Sequence, residues 1–250
     1  METAATMWIT LGEDVLDEKL NSDEMASAGA GNGTSKRAYR GGMRLEQKQQ
    51  TQARVLEAAL RFFGDFGYEA ASLRLIAEQA GVSHGVVRLH YGSKDELWKE
   101  AVRFLFARQF EEMLVQLDSP VMAKDPRDGV EQLIRSYVAY CARHPEHIRI
   151  MVREAIGGGE RLEWMAREFI APLHARAEIR FREAVKAGVL PDLPLVSLLY
   201  IVVGAVQSMS LLASEVQAIH GVDAMHPAVV AKHADAVVAA ILRPAAESAM

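Results

Sequence analysis

Apolar residues recur at three- and four-residue intervals along nearly the whole chain from residue 47 onward. The first such stretch ends at Gly67, and glycine, serine or proline separates the later ones. This spacing places apolar side chains on one side of an α-helix, and neither strand-like alternation nor a βαβ rhythm is seen in the sequence. The sequence therefore predicts an all-α fold.

Composition sets broad limits on this fold. The chain has 250 residues, of which 50% are hydrophobic, enough to bury the core of one or two globular domains. Cys141 is the single cysteine, so no disulfide can form within one chain. Residues 1–20 carry acids where a signal peptide would carry bases. We therefore expect a cytoplasmic location.

The charge is unevenly distributed along the chain. The net charge is −5, but residues 36–99 hold eleven bases and seven acids. Residues 1–35 hold seven acids and one base, and residues 100–250 hold sixteen bases and nineteen acids. This segment carries a modest excess of positive charge, which suits a nucleic-acid partner but does not by itself establish one.

The N-terminal residues are not expected to pack into a core, because few of them are bulky and apolar. Residues 1–46 mix acids with small residues and form a predicted disordered leader. Its basic end contains Lys36, Arg37, Arg40 and Arg44. That end fits an arm in a DNA minor groove, and it equally fits a solvated tail.

Residues 72–96 predict two short helices and the start of a third. Ser72 caps a helix over residues 73–79, residues 80–82 form a tight turn, and Ser83 caps a second helix that reaches about residue 90. Gly92 ends that helix, and residues 93–96 form a capping box that opens a long helix. Two short helices joined by a glycine turn are typical of a helix-turn-helix.

The second short helix carries the chemistry for reading DNA. Its N-terminal turn is free to enter a major groove, because the first helix packs across the second. Ser83 and His84 can bond base edges, Gly85 permits close approach, and Val86 can contact a thymine methyl. The neighbouring groups suited to phosphates are Arg74, Arg88, His90, Tyr91 and Lys94. Lys94 begins the next helix, where free N–H groups would help it hold a phosphate.

The segment SLRLIAEQAGVSHGVVRLHYGSKDEL, residues 72–97, resembles the TetR/AcrR family of repressors. The preceding AALRFFGDFG, residues 58–67, resembles the first helix of that family. The resemblance covers about residues 47–110. Beyond it only the layout is similar, including the phrase HPEHIR at residues 144–149.

The resemblance implies an all-α homodimer with a three-helix DNA-binding domain at residues 47–95 and a ligand-binding and dimerisation domain at residues 96–250. Ligand binding would change the distance between the two DNA-binding heads and release a palindromic operator. By position, the base-facing residues would be Arg74, His84, Gly85 and Val86, and the backbone contacts Ser72, Ser83, His90 and Lys94. The family usually has tyrosine where Arg88 stands, which leaves the operator preference at that position open.

Residues 193–214 form a run of twenty-two residues without a charge. That length would span a membrane, but the run contains Pro194, Ser197, Gln207, Ser208 and Ser210 and lacks flanking basic anchors. A buried helix in a homodimer interface has the same composition, so we expect dimerisation through the last two helices. The apolar face predicted for the last helix comprises Val229, Val230, His233, Val237, Val238 and Ile241.

The effector site is predicted from aromatic and sulfur-containing residues in the body. Such residues at helical spacing are usually core, but ligand pockets are mostly apolar with few polar anchors. We expect Phe110, Tyr137, Cys141 and Trp164 to line a pocket for a small, apolar or aromatic effector.

The sequence does not favour an enzyme. Cys141 and His144 straddle a helix end without an orienting acid, and the pair His144 and His147 has no third metal ligand. The glycines at 157–159 do not follow a strand, so a phosphate loop is not expected. The hypothesis is therefore a ligand-responsive repressor of double-stranded DNA without catalytic residues, metal or cofactor. Its rivals are an activator with the same head, an enzyme using Cys141, and a membrane-associated protein.

Overall fold

The computed structural model describes residues 34–112 and 124–244, with side chains described from residue 47 onward. Every regular element in those ranges is helical, as predicted. In chain order they are α1 Thr34–Ala70, α2 Leu73–Ala80, α3 His84–Tyr91, α4 Lys94–Glu112, α5 Pro126–Arg143, α6 Pro145–Gly157, α7 Glu160–Met165, a π-helical segment Ala166–Ile170, α8 Ala171–Lys186, α9 Leu195–Leu211, α10 Ala213–His220 and α11 Pro227–Ile241.

Helix α1 begins earlier in the chain than the sequence predicts. It begins at Thr34, so the backbone of residues 34–46 is helical and continuous with the first helix of the head. Residues 1–33 of the predicted leader lie outside the described residues. The helix is interrupted at Gly67, where φ is 83° and ψ is 169°, a conformation that glycine adopts without strain. The predicted end of this helix is confirmed.

Buried apolar side chains form two clusters. The head cluster contains side chains from all four helices α1, α2, α3 and α4, among them Ile76 of α2 and Val87 of α3. The body cluster joins α5, α8, α9 and α11. Helix α6 contributes Ile150 to the head cluster and Ile148 to the body cluster, so it connects the head to the body, and Met165 of α7 also lies in the head cluster. Helix α4 also links them, because Phe110 near its C-terminus packs against the body cluster.

The long helix predicted over residues 162–187 is divided by a π-helical segment, Ala166–Ile170. Pro172 lies just beyond it, at the start of α8. Proline has no N–H for the α-helical bond and its ring crowds the carbonyl four residues earlier. A wider π turn is a common way for a helix to accommodate such a disturbance.

The apolar run near the C-terminus is also divided, into α9 and α10, which meet at an angle of 60°. Ser208, near the bend, donates a hydrogen bond to the carbonyl of Ala205 at 2.9 Å, and such bonds bend helices. No single helix among the described residues is long and apolar enough to cross a membrane; α9 and α10 meet that test only as a bent pair.

The apolar face of α11 serves the chain's own core. Ala234, Val237 and Ile241 are buried in the body cluster, and Val230 and Val238 pack against it. The ring Nε2 of His233 bonds the carbonyl of Ala205 on α9 at 3.0 Å. This corrects the prediction that this face of the last helix is free for a partner, because α5 and α9 already cover it.

Candidate nucleic-acid interface

The turn between α2 and α3 is fixed by caps and by one arginine. The hydroxyl of Ser72 accepts the N–H of Leu75 at 3.3 Å, and that of Ser83 accepts the N–H of Val86 at 3.4 Å. Gly81 supplies the left-handed backbone of the turn, with φ 66°. Arg54 of α1 donates to the carbonyls of Ala80 and Gly81, at 3.0 and 3.3 Å. These bonds hold α3 in one orientation against the head.

Helix α3 presents one face to solvent. Val87 is completely buried and anchors the opposite face in the head cluster. The exposed residues of the helix are His84, Gly85, Arg88 and Leu89. Residues with this spacing lie on one side of an α-helix, since 3.6 residues make one turn. The helix that the sequence predicted to enter DNA is therefore accessible over its first two turns.

The other predicted DNA contacts surround this face with different exposures. Arg74 on α2 is exposed, whereas Ser72, Val86 and His90 are partly buried. The hydroxyls of Ser72 and Ser83 cap helices, which fixes the position of each oxygen. Each hydroxyl still has its own O–H donor and one lone pair for a further hydrogen bond.

Tyr91 differs from its predicted role. Its hydroxyl is buried and has no hydrogen-bond partner within the described part of the chain. Burial raises the pKa of this phenol, and the nearby Glu100 raises it further. A phosphate contact through Tyr91 is therefore not available in this arrangement, and its ring packs against the head cluster.

Lys94 is held at the junction of α1 and α4. Its ammonium donates to the carbonyl of Tyr68 at 3.1 Å and lies 4.2 Å from the centre of that ring. The guanidinium of Arg161, from α7, also lies 4.1 Å from the Tyr68 ring, and the Tyr68 hydroxyl donates to Asp95. An ammonium has three N–H donors, so Lys94 can keep the Tyr68 bond and still bind a phosphate.

Leu89 is the residue of this face that the sequence reasoning missed. It is 82% exposed, although leucine is usually a core residue. The signal was available, because Leu89 is one turn beyond Gly85 and adjacent to Arg88. The predicted contacts on this helix are the residues of its first turn and the polar side chains beyond it, which leaves out an apolar residue such as Leu89.

The four predicted effector residues do not form one group. Phe110, Tyr137 and Cys141 belong to the body cluster. Trp164 packs in the head cluster, with its ring 5.6 Å from that of Trp98 and 5.3 Å from that of Phe169. The Tyr137 hydroxyl accepts a 2.6 Å bond from Gln207, a polar pair at an otherwise apolar site.

Two surface clefts are separate from these residues. A cleft of about 420 Å³ lies between head and body and is lined by Glu57, Arg61, Asp65, Arg108, Arg143, His144, Pro145, Glu146 and Arg149. A cleft of about 680 Å³ is lined by Asp125, Arg127, Ala187, Gly188, Val189, Arg243 and Pro244. Neither is lined by a predicted effector residue.

The thiol of Cys141 is fully buried, and burial raises its pKa to about 12. Because the thiolate is the reactive form, we expect the native protein at pH 8 to react with a thiol reagent such as DTNB only as fast as it opens. The denatured protein should react at once. A native thiol that reacted within seconds would show that Cys141 is accessible, and the hypothesis that it is a nucleophile would then be favoured.

His144 and His147, which are three residues apart, have separate hydrogen-bond partners. The Nδ1 atom of His147 is 2.8 Å from the Tyr140 hydroxyl, whereas His144 Nε2 is 3.0 Å from Glu112. Within the ranges the structure describes, no three metal-binding side chains come together.

An exposed, capped second helix on a helical head, joined to a helical body, is the arrangement of a helix-turn-helix DNA-binding domain. Residues 55–101 match the profile described as bacterial regulatory proteins, tetR family, and residues 126–241 match the tetracyclin repressor-like C-terminal domain. The chain belongs to the TetR family of transcriptional regulators.

Two relatives of known name are also transcriptional regulators of the helix-turn-helix type. The chain is 25% identical over 119 residues to the HTH-type transcriptional repressor NicS of Pseudomonas putida, covering 47% of this chain and 54% of the relative. It is 29% identical over 170 residues to the HTH-type transcriptional repressor SCO4008 of Streptomyces coelicolor, covering 64% of this chain and 79% of the relative. The chain thus spans only about half the length of NicS.

A solved structure supports the fold. The chain is similar to AibR, crystallised in complex with isovaleryl coenzyme A and operator DNA, with a TM-score of 0.63. The identity is 18%, and the alignment covers 78% of this chain and 100% of AibR.

Proposed function

We propose that this DNA-binding regulator is a ligand-responsive repressor that binds a palindromic operator as a homodimer. The observation that carries the proposal is the exposed face of α3, which combines an imidazole, a guanidinium and a close-approach glycine. Arg88 can bond a guanine edge in two places, and His84 can bond a base edge or a phosphate. The names of NicS and SCO4008 favour repression over activation.

The proposed dimer uses the outer face of α9. Val196, Tyr200 and Ile201 are exposed there, and Leu211 and Leu212 follow at its end. The opposite face, with Leu198, Val202 and Val206, is buried in the body cluster. A helix that is apolar on both faces is typical of a subunit interface. The outer face of α11 would join it through small residues, Ala231, Ala236 and Ala239.

The proposed effector is a small apolar or aromatic molecule held in the body near Phe110, Tyr137 and Cys141. The support is the Tyr137–Gln207 bond, because one polar pair in apolar surroundings can orient a ligand. AibR, a protein of the same fold, was crystallised in complex with isovaleryl coenzyme A, a ligand with an apolar acyl chain, and this favours an apolar effector here.

The proposal is tested by selecting bound sequences from a random DNA pool and measuring affinity by fluorescence anisotropy across a salt series. We expect an inverted repeat, one dimer per site, and affinity that falls steeply with salt. Failure to enrich any sequence at modest salt would refute the proposal. A reporter strain that loses expression when the gene is deleted would favour activation instead.

Lys94→Ala is expected to weaken binding to every sequence about equally and to lower the salt slope by about two, because each protomer of the dimer loses one phosphate contact. Arg74→Ala and His84→Ala should instead change which sequences are preferred. The matched control is Lys99→Ala on the same helix, whose ammonium pairs with Glu96 at 3.0 Å. An unchanged salt slope in Lys94→Ala would remove Lys94 from the DNA contacts.

A further inference from the structure

The exposed face of α3 contains one bulky apolar side chain. Leu89 is 82% exposed, while Val87, two residues earlier, is completely buried. The other three members of this face, His84, Gly85 and Arg88, are polar or lack a side chain. A single exposed leucine on a surface is ordinary, but this one stands among the groups that would meet base edges.

Gly85 leaves open space beside Leu89. A Cβ atom placed on Gly85 would contact only the Ser83 hydroxyl, at 3.9 Å, so no side chain of the head fills this part of the face. Leu89 lies one turn further along the helix, on the same side. Its methyl groups are therefore not covered by a side chain at position 85 and are free to contact an apolar group in a groove.

Leucine cannot bond a phosphate or a base edge, so its partner in a groove must be apolar. In the major groove the apolar group offered by a standard base is the 5-methyl group of thymine. Val86, which the sequence suggested for this contact, is partly buried at the flank of the helix.

We propose that Leu89 is a specificity-determining residue that selects thymine by packing against its 5-methyl group. This inference rests on the proposed function, because it requires α3 to lie in the major groove of the operator. It adds a stated base preference at one position of each half-site.

The test replaces each thymine of the selected operator with deoxyuridine, which removes only the methyl group. With the natural protein, one position per half-site should lose affinity about fourfold, the change that burial of one methyl group supports, and substitution in both half-sites about fifteenfold. Leu89→Ala should bind the thymine operator more weakly and should not distinguish deoxyuridine from thymine at that position. Leu89→Met should keep most of the discrimination.

The matched control is Ile156→Ala, which removes an equally exposed aliphatic side chain (83%) at the end of α6. It should leave both affinity and the uracil response unchanged. If specific binding is retained but no uracil position depends on Leu89, the inference fails and the proposed function stands. If no DNA is bound at all, both fail.

Discussion

Lowering the pH from 7 to 5 should destabilise the folded protein by about 2 kcal/mol through His147 alone. The imidazole is buried, and its Nδ1 atom accepts a 2.8 Å bond from the Tyr140 hydroxyl in the neutral tautomer. Burial, together with the nearby charge of Arg108 and then of His144, lowers the pKa of His147 to about 3. Each pH unit between the two pKa values is worth about 1.4 kcal/mol.

The sign follows from which state binds the proton. Between pH 6.5 and 3 the unfolded histidine is protonated and the folded one is not, so protons favour unfolding. The contribution of His147 to stability is therefore complete above pH 6.5 and is lost progressively below it. Burial raises the pKa of the Glu112 carboxyl, but the hydrogen bonds and charges of Arg143 and His144 together outweigh it and lower the pKa, so Glu112 contributes to the pH dependence of stability only at lower pH.

The measurement is the free energy of unfolding in urea at pH 7 and pH 5, at one protein concentration. His147→Gln keeps an acceptor for Tyr140 and should reduce the loss between the two pH values by about 2 kcal/mol. His220→Gln, at an exposed histidine of α10, is the control and should behave like the natural protein. Equal pH dependence in all three proteins would contradict a buried, neutral His147.

Gly64→Val should destabilise the protein by about 1–3 kcal/mol, because α1 and α6 touch at this point. A Cβ atom on Gly64 would lie 3.2 Å from the Cα atom and the carbonyl oxygen of Glu146, closer than packed atoms normally approach. Glu146 cannot easily withdraw, since Arg108 holds its carboxylate at 2.7 Å.

Arginines of α6 fix the same contact from the other side. Arg153 donates to the carbonyls of Gly64 and Asp65, at 3.0 and 2.8 Å, and Arg149 pairs with the Asp65 carboxylate. These bonds satisfy carbonyls near the end of α1 that lack helical partners. Forcing the helices apart at Gly64 would weaken them as well.

Thermal and urea unfolding would measure this effect. The control is Gly157→Val at the end of α6, where an added Cβ meets nothing within 4 Å and a change within about 0.5 kcal/mol is expected. A Gly64→Val protein as stable as the natural one would show that the head and body are not packed together here.

The head could be predicted closely from sequence because its signals are local. Ser72, Ser83 and Gly67 are caps or breaks whose effect is confined to one turn, and each is found in that role. The burial of the Tyr91 hydroxyl could not be predicted from such local signals. Whether its hydroxyl points outward depends on packing between helices, which spacing along one helix does not specify.

The body was predicted less completely, because distant segments decide its packing. The apolar face of α11 fits a dimer interface as well as it fits α5, and only the folded chain shows that α5 covers it. Trp164 and Phe110 are both large aromatic residues, yet they pack against different clusters. The interruption of α7 and α8 was predictable in principle from Pro172.

The central claim is that the outward face of α3 binds DNA, and the affinity of a His84→Ala/Arg88→Ala double variant for the selected operator tests it most directly. The account predicts a loss of about 1,000-fold with helical content unchanged, since two base contacts are lost in each of the two protomers and each is worth at least about 1 kcal/mol. A His220→Ala/Arg182→Ala double variant, which removes an exposed histidine and an exposed arginine from the body, should bind like the natural protein. Binding of the α3 double variant at natural affinity would contradict the claim.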